Sequence, residues 1–197
     1  MNVVNMPLQL AVATTGSLFQ MLLSNESHPR TPRLIVLGIG NTLMSDDGVG
    51  IHVVRNLQQS QGASPLSFGN VEILDGGTLG YLLIDRVSDA DGLIIIDAAN
   101  LSAAPGTVRV IDDTGIERYL EDNPSSSVHE VGLIDLLQMM SLNDSQPRLR
   151  ALVGIQPELI DWGTGMSPAV AGSIALASKA VETIVIKWMG RDDLWQS

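Results

Sequence analysis

The chain has 197 residues, 45% of them hydrophobic, and a formal net charge of −11. That length suffices for one substantial core, and the acidity leaves no basic footprint for duplex nucleic acid or an anionic membrane surface. There is no cysteine, which excludes disulfides, thiolate zinc sites and thiol nucleophiles and leaves His, Asp and Glu as the available ligands and bases.

Residues 1–32 are moderately apolar but hold no Lys or Arg before Arg30. A signal peptide needs a basic start, and a membrane span needs about 20 largely apolar residues rather than this mixture of Gln, Thr, Ser and Gly. The segment is expected to be a tail of no assigned role. The domain proper is expected over residues 33–190, with residues 191–197 as a second, short tail.

Leu34–Ile39 is a continuous apolar run, as in a strand buried on both faces. The stretch GIGNTLMSDDGVG follows, with Asp46 or Asp47 expected to cap a helix whose apolar positions are Val49, Val53 and Leu57. Residues 59–67 read as a loop. Val71–Leu74 reads as a second strand, ending in Asp75-Gly76-Gly77-Thr78, with Leu79, Leu82, Leu83 and Val87 then at helical spacing. Gly92–Asp97 (GLIIID) is a β-branched strand that stops at a carboxylate. Thr107–Ile111 is a further strand, Glu117–Ser127 is polar and loop-like, and Val131–Met140 returns to helical spacing. Arg150–Ile155 is the fifth strand. Ser167 caps, and Pro168 opens, a last helix running to about Trp188.

The alternation implies an α/β domain with a mostly parallel sheet and helices on both faces. Ligands of such sheets bind beyond the C-terminal ends of the strands. Three strands here end at or near acids: Asp46 and Asp47 after the first, Asp75 after the second and Asp97 after the third.

A dinucleotide site does not fit. The third small residue of its fingerprint is replaced by Leu43, and an acidic pair at a helix mouth would repel a pyrophosphate. A phospho-acceptor receiver domain needs a lysine after the fifth strand, where this chain has Gly154-Ile155-Gln156-Pro157. Any one of the aspartates is explained as a cap or turn residue. Together at one sheet edge they repel each other unless a cation or a shared proton relieves them. Of the three histidines, His129 stands just before a helix, where the dipole favours the neutral, ligand-competent ring. His52 lies within the first helix and His28 in the tail.

GIGNTLMSDDGVG, ILDGGTLG, IIIDAAN, PGTVRV, SSSVHEVGL and LVGIQPE, in this order and spacing, resemble the hydrogenase maturation proteases. These are endopeptidases that trim the C-terminus of the large subunit of NiFe (nickel-iron) hydrogenases. The resemblance runs from about Arg33 to Trp188. It implies a three-layer α/β/α sandwich with a twisted five-stranded sheet and a metal-binding triad falling on Asp47, Asp97 and His129, where some members carry glutamate in place of Asp47. It also implies that Asp75–Thr78 borders the cleft, and that the nickel comes with the substrate instead of being a resident cofactor.

On that reading the partner is the large-subunit precursor, processed in the cytoplasm by a monomeric protease without nucleic acid or membrane. Two carboxylates and an imidazole suit a borderline divalent ion and leave room for ligands from the other protein. The bound metal then polarises the scissile carbonyl or activates water, or it only docks the substrate while an aspartate (Asp46, Asp75 or Asp97) acts as general base. Both routes stay open at this point. The alternative from another class is a non-catalytic metal-binding or assembly chaperone on the same scaffold.

Overall fold

The computed structural model describes residues 31–60, 70–78, 83–123, 137, 139, 140, 142 and 146–190, all within the compact unit Thr31–Ser197. The strands are β1 (Arg33–Gly38), β2 (Asn70–Asp75), β3 (Gly92–Ala98), β4 (Val108–Asp112) and β5 (Leu149–Ile155). The helices are α1 (Val49–Ser60), the single turn α2 (Ile84–Val87), α3 (Asp113–Asp122) and α4 (Pro168–Met189), and a 3-10 turn, Ser45–Gly48, leads into α1. The sheet order is β2-β1-β3-β5-β4. All neighbours are parallel except β4, which runs antiparallel to β5.

The central strands are apolar on both faces because both are covered. On β1, Leu34 and Val36 face one core while Ile35 and Leu37 face the other; β3 divides in the same way, with Ile94 and Ile96 opposite Leu93 and Ile95. The first core is closed by Val49, Val53 and Leu57 of α1 and by Val170, Ala177, Val181, Val185 and Trp188 of α4. The second is closed by Val87, Ile116, Tyr119, Leu137 and Met140. These three layers are the sandwich expected from the sequence. α4 has the length and hydropathy of a membrane span, yet one of its faces belongs to the first core. Ser167 caps it as expected, accepting from Val170 N–H at 3.4 Å, with Pro168 in the first turn.

Two local expectations are corrected. Residues 113–122, read in part as a polar loop, form α3. Asp112 caps it by accepting from Gly115 N–H at 3.3 Å, and Ile116 and Tyr119, three apart, supply a narrow buried stripe. Gly115 and the run of charged residues hide that stripe in the sequence. Buried Arg150 of β5 ties the polar side of α3 to the sheet by ion pairs with Asp113 and Glu117. The start of α1 differs too, since no side chain caps the 3-10 turn that precedes it. The helices expected over Leu79–Val87 and Val131–Met140 are described only in part, and Leu137 and Met140 are buried there.

The glycines of GIGNTLMSDDGVG let α1 start against the ends of two strands. A Cβ on Gly50 would lie 2.3 Å from the carbonyl oxygens of both Ile39 and Ile96. Gly40, at φ +137°, allows the loop to pass directly over the backbone of Asp47. Gly172, by contrast, has nothing within 4 Å on the exposed side of α4. Gly50→Ala should therefore cost about 3 kcal/mol of unfolding free energy, because backbone on both sides has to move. Gly172→Ala should stabilise by roughly 0.5–1 kcal/mol, because alanine loses less backbone entropy in a helix. Urea unfolding of the two variants beside the parent checks the contrast.

Candidate active site at the C-terminal edge of the sheet

The chain leaves β1 towards α1 on one face, whereas β3 leads on to β4 and to α3 on the other. The crevice between such diverging connections is where open α/β sheets bind ligands. Asp47 is carried by the turn after β1, and Asp97 is the penultimate residue of β3. The turn packs against β3, and Ile39 N–H donates to the Ile96 carbonyl at 2.9 Å. The two expected carboxylates thus come to adjoining strand ends, Asp47 with 1% and Asp97 with 3% of its surface exposed. Asp47 Oδ2 accepts from Asn41 N–H at 2.6 Å.

Asp46 has a different task. It is completely buried, and its two oxygens accept from Glu158 N–H (2.9 Å), Leu159 N–H (2.9 Å), Ser167 N–H (2.6 Å) and Ser167 Oγ (2.9 Å). The expected cap of α1 is instead a clamp on the β5–α4 connection. Burial alone would raise its pKa, but the hydrogen bonds from Leu159, Ser167 and Glu158 outweigh burial and hold the carboxyl below its ordinary value. A carboxylate so engaged is a poor proton acceptor.

The backbone completes the seam. Ser45 N–H donates to the Gly163 carbonyl at 2.7 Å, Gly163 N–H to Leu43 at 2.9 Å and Asp46 N–H to Leu159 at 3.2 Å. Ser45 is held in the left-handed region at φ +51°, with its Oγ donating to the Asp161 carbonyl at 3.0 Å.

Asp75 does not join the pair. It follows Ile73 onto the α1 side of the sheet, where its exposed carboxylate accepts from Gly77 N–H at 3.1 Å and reaches Arg55 at 3.5 Å. Asp97 follows Leu93 and Ile95 onto the other side. The Asp75–Thr78 turn still touches the first loop, since Gly40 N–H donates to the Gly77 carbonyl at 2.9 Å and Gly76 N–H to Gly38 at 2.8 Å. His52 is half-buried in α1, and burial together with Arg55 lowers its pKa, favouring the neutral ring. His129 and His28 lie outside the described residues. Among the described residues no group of three His, Cys, Asp or Glu side chains is gathered to hold a metal.

Sequence reasoning missed three positions. Asn41 acts through its backbone N–H, which no spacing reveals. Ser167 is legible as a cap, but its bonds to Asp46, 121 residues away in sequence, are not. Gln156 Oε1 accepts from Leu101 N–H at 2.7 Å and so holds the chain that follows Asp97; the only signal was its place just after β5.

A doubly covered, mostly parallel α/β sheet defines a class of proteins that bind ligands beyond the C-terminal ends of the strands. The family model for hydrogenase maturation proteases matches residues 51–184. The chain is 37% identical over 147 residues to the hydrogenase expression/formation protein HupD of Thiocapsa roseopersicina, covering 74% of this chain and 64% of that protein. It is 34% identical over 150 residues to the hydrogenase 2 maturation protease of Escherichia coli K12, covering 76% and 88%. The solved structure of the hydrogenase maturating endopeptidase HybD from E. coli matches with a TM-score of 0.68 at 32% identity, over 80% of this chain and 94% of that one. A NiFe hydrogenase maturation protease HybD from Thermococcus kodakarensis matches with a TM-score of 0.61 at 28% identity, over 77% and 98%. The chain belongs to the hydrogenase maturation protease family, an enzyme family of endopeptidases.

Removing the clamp strands three backbone donors and one hydroxyl of the β5–α4 connection at once. Asp46→Ala should lower the unfolding free energy by about 3 kcal/mol, each buried group left without a partner costing about 1–3 kcal/mol. Because the folded-state pKa is depressed, the clamp contributes fully above the unfolded carboxyl's pKa and is lost as pH falls through the lowered value. The difference between parent and Asp46→Ala in urea titrations should be constant near neutrality and shrink in acid.

Proposed function

We propose that the protein is an endopeptidase that removes the C-terminal extension from a nickel-loaded NiFe hydrogenase large-subunit precursor, reading the substrate's nickel through Asp47, Asp97 and His129. The observation that carries this reading is the burial of Asp47 and Asp97 at adjoining strand ends, in a chain that belongs to a protease family. Two carboxylate oxygens and an imidazole nitrogen form a mixed donor set suited to a borderline divalent ion. An ion held by the precursor then bridges the two proteins, and an empty precursor lacks the bridge. Cleavage becomes a check that metal loading is complete.

Asp46 and Asp75 are engaged elsewhere, which favours the Asp47–Asp97 crevice as the place of peptide hydrolysis. There the substrate's metal supplies Lewis-acid polarisation of the scissile carbonyl or an activated water. We place this reaction in the cytoplasm, with a monomeric protease acting on the precursor before the hydrogenase is assembled.

Incubation with nickel-loaded and nickel-free precursor, followed by intact-mass measurement of the large subunit, tests the reading. The loaded form should lose its C-terminal extension and the empty form should keep it. Asp47→Asn, Asp97→Asn and His129→Ala should each slow processing by about 100-fold or more, since each removes a donor to the ion. Cleavage of both precursor forms would overturn nickel recognition, and no cleavage of the loaded form would overturn the protease and favour an assembly chaperone.

A further inference from the structure

Four of the large apolar side chains left exposed lie on the two loops that Asp46 joins. Leu43 is 54% exposed in the β1–α1 loop, and Leu159 (55%), Ile160 (38%) and Trp162 (78%) follow in the β5–α4 loop. Single exposed apolar residues are ordinary. These four differ in lying on two loops bonded to each other: Gly163 N–H donates to the Leu43 carbonyl, Ser45 Oγ donates to the Asp161 carbonyl, and Leu159 both accepts from Asp46 N–H and donates to its carboxylate. The surface is therefore preorganised, continuous with the turn that carries Asp47, and presents a tryptophan, one of the side chains enriched among interface anchors.

Its charge is one-sided. Glu158 and Asp161 are exposed among the apolar residues, and neither residues 34–54 nor residues 151–178 contain a Lys or Arg. A partner segment complementary to it would be apolar with basic flanks.

We propose that Leu43, Leu159, Ile160 and Trp162 form the dock for the precursor polypeptide, seating an apolar, Lys- or Arg-flanked segment of that protein beside the Asp47–Asp97 crevice. This rests on the processing function proposed above and adds to it a second point of attachment, independent of nickel. A dock on the rim, away from the reacting atoms, acts on substrate capture and not on the chemical step.

The test compares the parent protein with Leu159→Ser/Trp162→Ser and with Trp162→Phe, using full-length nickel-loaded precursor, with circular dichroism to confirm folding. Processing kinetics and direct binding by interferometry are both read, and sedimentation equilibrium reports self-association. The double variant should raise KM and weaken binding by about tenfold or more with kcat within about twofold, and Trp162→Phe should retain most of the parent's affinity. Glu158→Gln should reduce the salt dependence of binding.

Unchanged KM and binding in the double variant, while the parent processes the precursor, would overturn the dock and leave the protease standing. A parent dimer that the double substitution dissociates, with KM unchanged, would assign the surface to a second copy of the chain and likewise overturn it. If the parent does not process the precursor, the protease reading fails. The dock is then decided by binding alone: it stands if the parent binds the precursor and the double variant does not, and falls otherwise.

Discussion

The carboxylate of Asp46 holds together two loops that sequence places more than a hundred residues apart. It is buried, and burying a charge is affordable only when hydrogen bonds replace the lost water. Three backbone N–H groups and one hydroxyl do so here. The same four bonds close the β5–α4 connection over the first turn and fix the residue that starts α4. Three features of the C-terminal edge are tied to that closure: the strained Ser45, the turn bearing Asp47 and the apolar rim at Leu159–Trp162. Adjacent aspartates therefore bond to different parts of the scaffold. Asp46 holds the β5–α4 connection, and Asp47 accepts from Asn41 N–H within its own loop.

On the proposed reading the site recognises an ion brought by another protein, and rigidity then matters. Donor atoms must be held within about 0.5 Å of the productive geometry, and a loop alone does not achieve that. Here the loop is wedged between α1 and two strand ends, with Gly50 in direct contact with the Ile39 and Ile96 carbonyls. A helix start so close to the sheet leaves no room for a side chain, which is why the acidic turn is bracketed by glycines. The turn that lacks the third small residue of a dinucleotide fingerprint is a packing device for the start of α1.

The sequence made the layers and the sheet readable because apolar runs and helical spacing report burial directly. Leu34–Ile39 and Gly92–Asp97 announce strands covered on both faces, and Ser167-Pro168 announces the start of α4. The position of Asp97 at a strand end was legible for the same reason. Other features were not, because they depend on partners distant in sequence. Nothing local distinguishes Asp46 from a cap, and nothing places Asp75 on the α1 side of the sheet except the register of β2 against β1. The α3 stripe was missed because two buried residues, Ile116 and Tyr119, carry the amphipathic face of a highly charged helix.

A processing enzyme that discriminates loaded from empty precursor must divide its affinity unevenly. Contacts made equally with both forms raise affinity for both and contribute nothing to the choice; only the differential contact with the metal does. An extensive apolar dock would therefore hold empty precursor as firmly as loaded precursor and block the check. The proposed rim is confined to four side chains and interrupted by Glu158 and Asp161. It would concentrate the substrate at the crevice and leave the decision to cut with Asp47, Asp97 and the ion. The acidity of the edge adds to this division, because a cation entering a crevice lined by carboxylates gains attraction that a metal-free precursor lacks.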